Sequence, residues 1–339
     1  MTSGLLRKVC YPLEAVNLRV DLMEELMNIL ITGAGLAGSY TAREAMAKGH
    51  KVTLYDISPN ADYIRAVVGE VDVVKGDVTD LPFLIETFQS RKIDAVFHSA
   101  YLIGDRLSER PYTGLNVNVG GVIAIAEAVR LSGAKRMVFA STYGVYNWAS
   151  GPTRPVDEDF PVLTNVLYRA SKIACESLLH ALGNHYGFET GVVRFAQIYG
   201  RGHYVGGDVI GGVVHEYVNA ALAGGPVHIQ SNIFGSNELI YAGDLAQGVV
   251  LALEQPLTEA RVFNIGTGVV TDSEGLASIF REVFPNIAVD VSPGPEVAFT
   301  PYRPQSLDID RARNVLGYNP VHLGSSGIAS FVEDLKRTG

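Results

Sequence analysis

Cysteine is almost absent from this chain of 339 residues: Cys10 and Cys175 are the two present. They are too few for a disulfide framework and lack the spacing of a metal site, so a reduced, cytoplasmic setting is expected. Positive charge is also short. Lys and Arg total 27 against 36 Asp and Glu, a net charge of -9, which supplies no field to attract nucleic acid or an anionic membrane. No apolar run approaches the roughly 20 residues that span a bilayer. The opening stretch, MTSGLLRKVCYPLEAVNLRVDLMEEL, carries charges throughout and has no signal-peptide core. Residues 13–26 have the pattern of a short amphipathic helix, and residues 1–26 together read as an extension outside the fold. What is present is ordinary for a soluble enzyme: 47% hydrophobic and 19% charged residues, with length enough for one large domain or two intimate lobes.

From Met27 the pattern is strand, glycine turn, helix, strand. NILIT is a short apolar run suited to a buried parallel strand. GAGLAG places Gly33, Gly35 and Gly38 in a G-x-G-x-x-G spacing, SYTAREAMAKG reads as a helix, and HKVTLYD as the next strand, closed by Asp56. Such glycines permit a tight turn and close approach of backbone to a pyrophosphate, which would rest on the helix N-terminus at Leu36, Ala37 and Gly38. Asp56 lies about 20 residues beyond the turn, where a carboxylate accepts hydrogen bonds from an adenosine ribose. It would repel a 2′-phosphate, and ISPN after it offers no Arg or Lys, so NAD is favoured over NADP.

The alternation continues through VDVVKGDVTD, KIDAVFHSA, the long helix NVNVGGVIAIAEAVRLSG and RMVFAS. Strands alternating with helices over short connections predict an α/β fold, a doubly wound parallel sheet. Ligands should then gather at the carboxyl ends of its strands, where Asp77, His98, Ser99, Ala100, Ser141 and Thr142 fall. The expected organisation is an extension over 1–26, a dinucleotide-binding domain over 27–200, and a smaller substrate-binding lobe over 201–339 that returns to the main sheet near 235–265. His180, His185, His203, His215 and His228 lack metal-like spacing, and no metal is expected.

LYRASKIACE, residues 167–176, sets Tyr168 and Lys172 four positions apart in a stretch without Gly or Pro, on one face of a helix. In isolation such a pair is as readily a surface Tyr packed on a Lys stem. Here it stands among pieces in a recognisable order: the glycine turn, Asp56, GDVTD, FHSA, NVNVGG, FASTYGVY, YRASK, VVRFAQIYGRG, YAGDLAQG, FNIGTG and YRPQSLDIDRARNVLGY. From about residue 27 onward the chain resembles the extended short-chain dehydrogenase/reductase family, the NAD-dependent epimerase/dehydratase group. One departure is the turn itself, because TGAGLAG is a residue shorter than the family's T-G-x-x-G-x-x-G. The resemblance implies that Tyr168 and Lys172 form a catalytic pair with Thr142, three residues before Val145. It further implies that Val78, Asn118, Ser141, Tyr168 and Lys172 border the cofactor, and that Lys172 holds the nicotinamide ribose. It also implies a homodimer formed through the NVNVGG and Tyr-Lys helices.

A free tyrosine, with a pKa near ~10, is a poor base at neutral pH. Lowering it by about three units requires roughly 4 kcal/mol of preferential stabilisation of the phenolate. An ammonium at ~4 to 5 Å contributes on the order of 3 to 4 kcal/mol at an effective dielectric of about 20. Tyr168 is therefore expected to take a proton from a substrate hydroxyl while hydride leaves the same carbon, with Thr142 aligning that oxygen.

Substrate candidates are Thr142, Tyr143, Gln197 and Arg303. Family dehydratases carry an acidic pair after the catalytic Thr, whereas Tyr143-Gly144 follow Thr142 here. Family epimerases typically clamp a diphosphate with an Arg where this chain has Asn237, and commonly have Asn where it has Gln197; Arg303 matches a second family arginine. These departures favour an NAD-dependent dehydrogenase or reductase of a small sugar, sugar acid or hydroxy acid. An NDP-sugar 4-epimerase with retained NAD is the alternative, and a non-catalytic dinucleotide sensor a more distant one. RGHYVGGDVIGG, residues 201–212, reads as a mobile cover over the pocket or as an ordinary surface loop.

Overall fold

Ile29, Leu30 and Ile31 are fully buried in the first strand, β1 (Asn28–Thr32), as a strand covered on both faces requires. The computed structural model describes residues 26–202, 209–258, 261–294 and 305–337; nearly all of the expected extension, half of the glycine-rich loop at 201–212 and Arg303 lie outside them. From β1 the chain runs through α1 (Leu36–Ala47), β2 (Lys51–Asp56), α2 (Ala61–Val67), β3 (Asp72–Lys75), α3 (Leu81–Arg91), β4 (Ala95–His98), α4 (Asp105–Ser108), α5 (Pro111–Ser132), β5 (Arg136–Thr142), α6 (Leu167–Tyr186) and β6 (Glu189–Phe195). It continues through β7 (Gln197–Tyr199), α7 (Val209–Leu222), β8 (Val227–Gln230), α8 (Ser231–Phe234), β9 (Ser236–Asn237), β10 (Leu239–Tyr241) and α9 (Ala242–Glu254). The last elements are β11 (Val262–Ile265), β12 (Thr271–Asp272), α10 (Ser273–Val283), β13 (Val289–Ser292) and α11 (Ser325–Lys336).

Seven strands form one parallel sheet in the order β11-β6-β5-β4-β1-β2-β3. The chain winds outward from β1 to β3, then recrosses to β4 and winds the other way. Between β1 and β4 the connections therefore part, leaving a crevice above their carboxyl ends. Alternate residues of β1 serve the two layers: Ile29 and Ile31 join a cluster with Ala42 of α1 and Val249 of α9, while Leu30 joins one with Phe88 of α3, Ile125 of α5 and Leu179 of α6.

α5 departs from the expectation that no segment approaches membrane-spanning character. By length and composition it is apolar enough to cross a bilayer. In the fold, Val122, Ile125, Ala126 and Val129 are fully buried beside α3 and α6, so its apolar face covers the sheet.

Beyond β6 the chain builds a third cluster from Val214, Ile229, Phe280 and Phe331, with β8 and β13 paired in parallel. β11 returns to the main sheet beside β6. Glu238 ties the returning segments together: its buried carboxylate accepts backbone N–H groups from Thr267 at 2.7 Å, Gly268 at 2.9 Å and Leu307 at 2.6 Å.

Candidate active site

The three glycines of the turn have three different surroundings. Gly33 has φ of +87°, and a Cβ there would lie 2.7 Å from the Ala100 backbone nitrogen. At Gly38 a Cβ would come within 1.8 Å of the Gly33 carbonyl oxygen, so α1 packs on the turn only because that atom is missing. Nothing lies within 4 Å of the corresponding point at Gly35, which borders open space in the cleft. Two positions are thus closed by the protein, and the one between them is left for a ligand. Leu36, Ala37 and Gly38 begin α1 at the cleft wall, where amide N–H groups without helical partners and the positive helix end suit a pyrophosphate.

Asp56 is already engaged by the backbone. One carboxylate oxygen accepts the Ala34 N–H and the other the Ser58 N–H, both at 2.8 Å. A carboxylate has about four acceptor sites, so lone pairs remain for ribose hydroxyls while the backbone bonds fix its position. Asp77, Val78, Ser99 and Ala100 line the same cleft. Asp77 accepts from the Thr79 N–H and hydroxyl, and Ser99 donates to the Thr32 carbonyl at 2.8 Å. The cleft is continuous from the glycine turn to Gln197 and encloses about 1220 Å³. That exceeds a single small-molecule pocket and has room for a dinucleotide with a second ligand beside it. The residues present therefore fit NAD.

At the far end the structure gathers Thr142, Tyr168 and Lys172. Thr142 ends β5 and accepts the Gly144 N–H at 3.1 Å, leaving its own proton to donate. Tyr168 is half-buried in the first turn of α6. Lys172 lies one turn on, 3% exposed, with its Nζ donating to the Ala140 carbonyl at 2.5 Å. α6 is fixed against the sheet by a buried ion pair, Glu176 with Arg194 at 2.7 Å.

Lys172 differs from the expectation of a cation simply present beside a phenol. Its Nζ is 5.7 Å from the Tyr168 ring centroid. At that range a full charge is worth about 3 kcal/mol at an effective dielectric near 20. Burial pushes the Lys172 pKa down to about 7, only partly opposed by Cys175 and Glu176. Neutral pH is therefore the midpoint of its charge.

Other expected residues fall on the wall or behind it. Ser141 borders the cleft, but its hydroxyl donates to Glu176. Asn118 stands behind the wall, fully buried, holding Leu102 by both its N–H (2.7 Å) and its carbonyl (2.9 Å). Any effect it has on a cofactor is transmitted through that segment. Tyr143 and Gln197 both line the cleft and meet each other, the phenol donating to the Gln197 amide oxygen at 3.2 Å. His98 is a packed histidine: fully buried, 2.6 Å from the Thr32 hydroxyl, and held down to about 3 by burial and by Lys172. Tyr146 and Trp148 pack against each other away from the lining.

Sequence reasoning missed Tyr101, Arg106 and Arg169, which all line the cleft. Tyr101 was signalled by its place at the carboxyl end of β4, beside the crevice. Arg169 was signalled by adjacency to Tyr168, whereas Arg106 sits on a loop that carries no pattern.

Comparison with known proteins agrees with this geometry. A family model described as the NAD dependent epimerase/dehydratase family matches residues 29–266. A UDP-glucose 4-epimerase of Mycolicibacterium smegmatis is 32% identical over 320 residues, covering 91% of this chain and 98% of its own. A UDP-N-acetyl-alpha-D-glucosaminuronate decarboxylase of Bacillus cytotoxicus is 27% identical over 265 residues, covering 75% of this chain and 78% of its own. Among solved structures, the UDP-glucose 4-epimerase of Thermus thermophilus in complex with NAD matches with a TM-score of 0.77 at 27% identity, covering 91% of this chain and 99% of that one. With its glycine turn, Tyr-x-x-x-Lys helix and seven-stranded sheet in place, the chain belongs to the NAD-dependent epimerase/dehydratase family of extended short-chain dehydrogenase/reductase enzymes.

Proposed function

We propose that this protein is an NAD-dependent epimerase of a nucleotide sugar, inverting a carbinol carbon without net oxidation. The observation that carries the proposal is the single cleft in which the dinucleotide crevice runs without a break into the Thr142, Tyr168 and Lys172 cluster. Near end-to-end similarity to a UDP-glucose 4-epimerase supports the same reading and favours it over the small-molecule dehydrogenase expected from the sequence. NAD, when bound, supplies the acceptor for a hydride and its return. Tyr168 withdraws the proton from the substrate hydroxyl and gives it back after the sugar has turned. Thr142 donates a hydrogen bond to that oxygen and fixes its approach. Lys172 in its charged form favours the phenolate, and its remaining donors suit a ribose diol. Arg106 and Arg169, on the cleft wall, bring positive charge to a substrate that carries phosphates.

A dehydrogenase acting on a smaller hydroxy compound is the second reading, and Asn237 favours it. That side chain is buried and donates to the Phe234 carbonyl, so it does not reach out as a diphosphate clamp. The two readings separate when the purified protein is incubated with UDP-glucose or UDP-galactose and with a panel of sugars and sugar acids. Epimerisation gives interconversion of the two nucleotide sugars with no accumulation of free NADH. NADH released in step with consumption of a smaller compound, and neither nucleotide sugar isomerised, overturns the epimerase.

A homodimer through α5 and α6 belongs to the same reading. The two helices pack side by side and expose Ile123, Leu131, Leu178 and Tyr186. Sedimentation of the purified chain as a monomer at micromolar concentration would rule it out.

A further inference from the structure

The charge of Lys172 has a support that neither the sequence pattern nor the family match assigns. Its Nζ lies 3.4 Å from the ring centroid of Tyr101 and 4.6 Å from that of Phe139. An ammonium over a ring face is attracted by the ring quadrupole, a neutral amine much less so, and the effect is largest where water is excluded. Tyr101 is held in place from three sides. Its hydroxyl is 2.8 Å from the Ser171 hydroxyl, which donates in turn to the Tyr168 carbonyl at 2.7 Å; the Tyr101 O–H is therefore the donor in the first contact. Its ring meets that of Tyr168 edge-on, with centroids 5.9 Å apart at 82°. The next residue, Leu102, is clamped at both backbone groups by Asn118.

We propose that Tyr101 is a positioning residue for the catalytic pair, its ring face holding the Lys172 side chain in place and in its charged form beside Tyr168. This rests on Tyr168 and Lys172 acting as that pair. The titratable groups around Lys172 support its charge less directly, Cys175 and Glu176 offsetting burial only in part. His98, at the end of β4, is neutral at working pH. Glu176, on α6, is committed to Arg194 and Ser141. Burial pushes the Cys175 thiol up, so it stays protonated, and burial likewise keeps the Tyr101 phenol protonated. Tyr168 is the group on which Lys172 acts. The Tyr101 ring is thus the nearer of two neutral rings that favour the ammonium over the amine, Phe139 being the other.

The test reads Lys172 directly and needs no substrate. Protein labelled with 13C at lysine Cε is titrated by NMR, with the Lys172 signal assigned by its loss in Lys172→Met. Tyr101→Phe keeps the ring and is expected to leave the midpoint nearly unchanged. Tyr101→Leu removes the ring, keeps an apolar side chain and is expected to lower the midpoint by about one pH unit. Should the leucine variant not fold, 3,4,5-trifluorophenylalanine at position 101 keeps the shape, weakens the ring quadrupole and is expected to lower the midpoint likewise. An unchanged midpoint in the ring-deficient or ring-fluorinated protein overturns the proposal. In a turnover assay the same variants should move the basic limb of the kcat–pH profile downward by the same amount, whereas a merely structural role would scale kcat at every pH. Failure of the epimerase reading would abolish turnover in the unaltered protein and leave the NMR result standing.

Discussion

Lys172, proposed above as half of the catalytic pair, is held at a cost to the fold. Its pKa near 7 in the folded chain lies below the ordinary lysine value of 10.5. Between those values the unfolded chain binds more protons than the folded one, so this group's contribution makes stability rise with pH from about 7 towards 10.5. Below pH 7 the full penalty applies, on the order of a few kcal/mol. Replacing Lys172 with Met removes a buried charge that, among the described residues, bonds to the Ala140 carbonyl and not to a carboxylate. Lys172→Met should raise the melting temperature by a few degrees at pH 6, flatten its rise between pH 7 and 10, and abolish turnover. Thermal melts at the two ends of that range check the sign. A variant less stable than the parent at pH 6 contradicts the burial argument.

The junction of β1 and α1 allows a prediction about an element as a whole, because its glycines serve separable purposes. Gly38→Ala drives a Cβ into the Gly33 carbonyl, so α1 must move off the turn, and both stability and dinucleotide retention should fall. Gly35→Ala meets no protein atom, so the melting temperature should stay within about a degree while NAD affinity drops at least tenfold. Melting curves and NAD titration of the two variants separate these roles; equal loss of stability in both contradicts them. These elements were legible in the sequence because each carries a local signal. NILIT and HKVTLYD are continuous apolar runs closed by turn residues, the glycines mark the turn, and Tyr168 and Lys172 share a helical face whatever the tertiary surroundings. Contacts between segments distant in sequence were not legible. Nothing near Asn118 announces that it holds Leu102, and nothing near Glu238 announces that its carboxylate gathers backbone from Thr267, Gly268 and Leu307. Tyr101 lies between these cases. Its place at a strand end was readable, but its seat under the Lys172 ammonium depends on α6 crossing above it.

At the scale of the molecule, a chain of net charge -9 lines one cleft with Arg106, Arg169 and Lys172 as well as with Asp56, Asp77 and Asp105. That mixture offers carboxylates to ribose hydroxyls and cations to phosphates within one groove. The sheet fixes both ends relative to each other, since β1, β2, β4 and β5 are one parallel unit and their carboxyl termini carry the turn, Asp56, Ala100 and Thr142. The whole account depends on proton exchange at one phenol. Its most direct test is Tyr168→Phe, assayed for interconversion of UDP-glucose and UDP-galactose, with NAD content measured after denaturing the purified protein. The account predicts turnover reduced at least about a hundredfold with NAD content unchanged. A Tyr168→Phe protein that keeps most of its turnover while retaining NAD would contradict it.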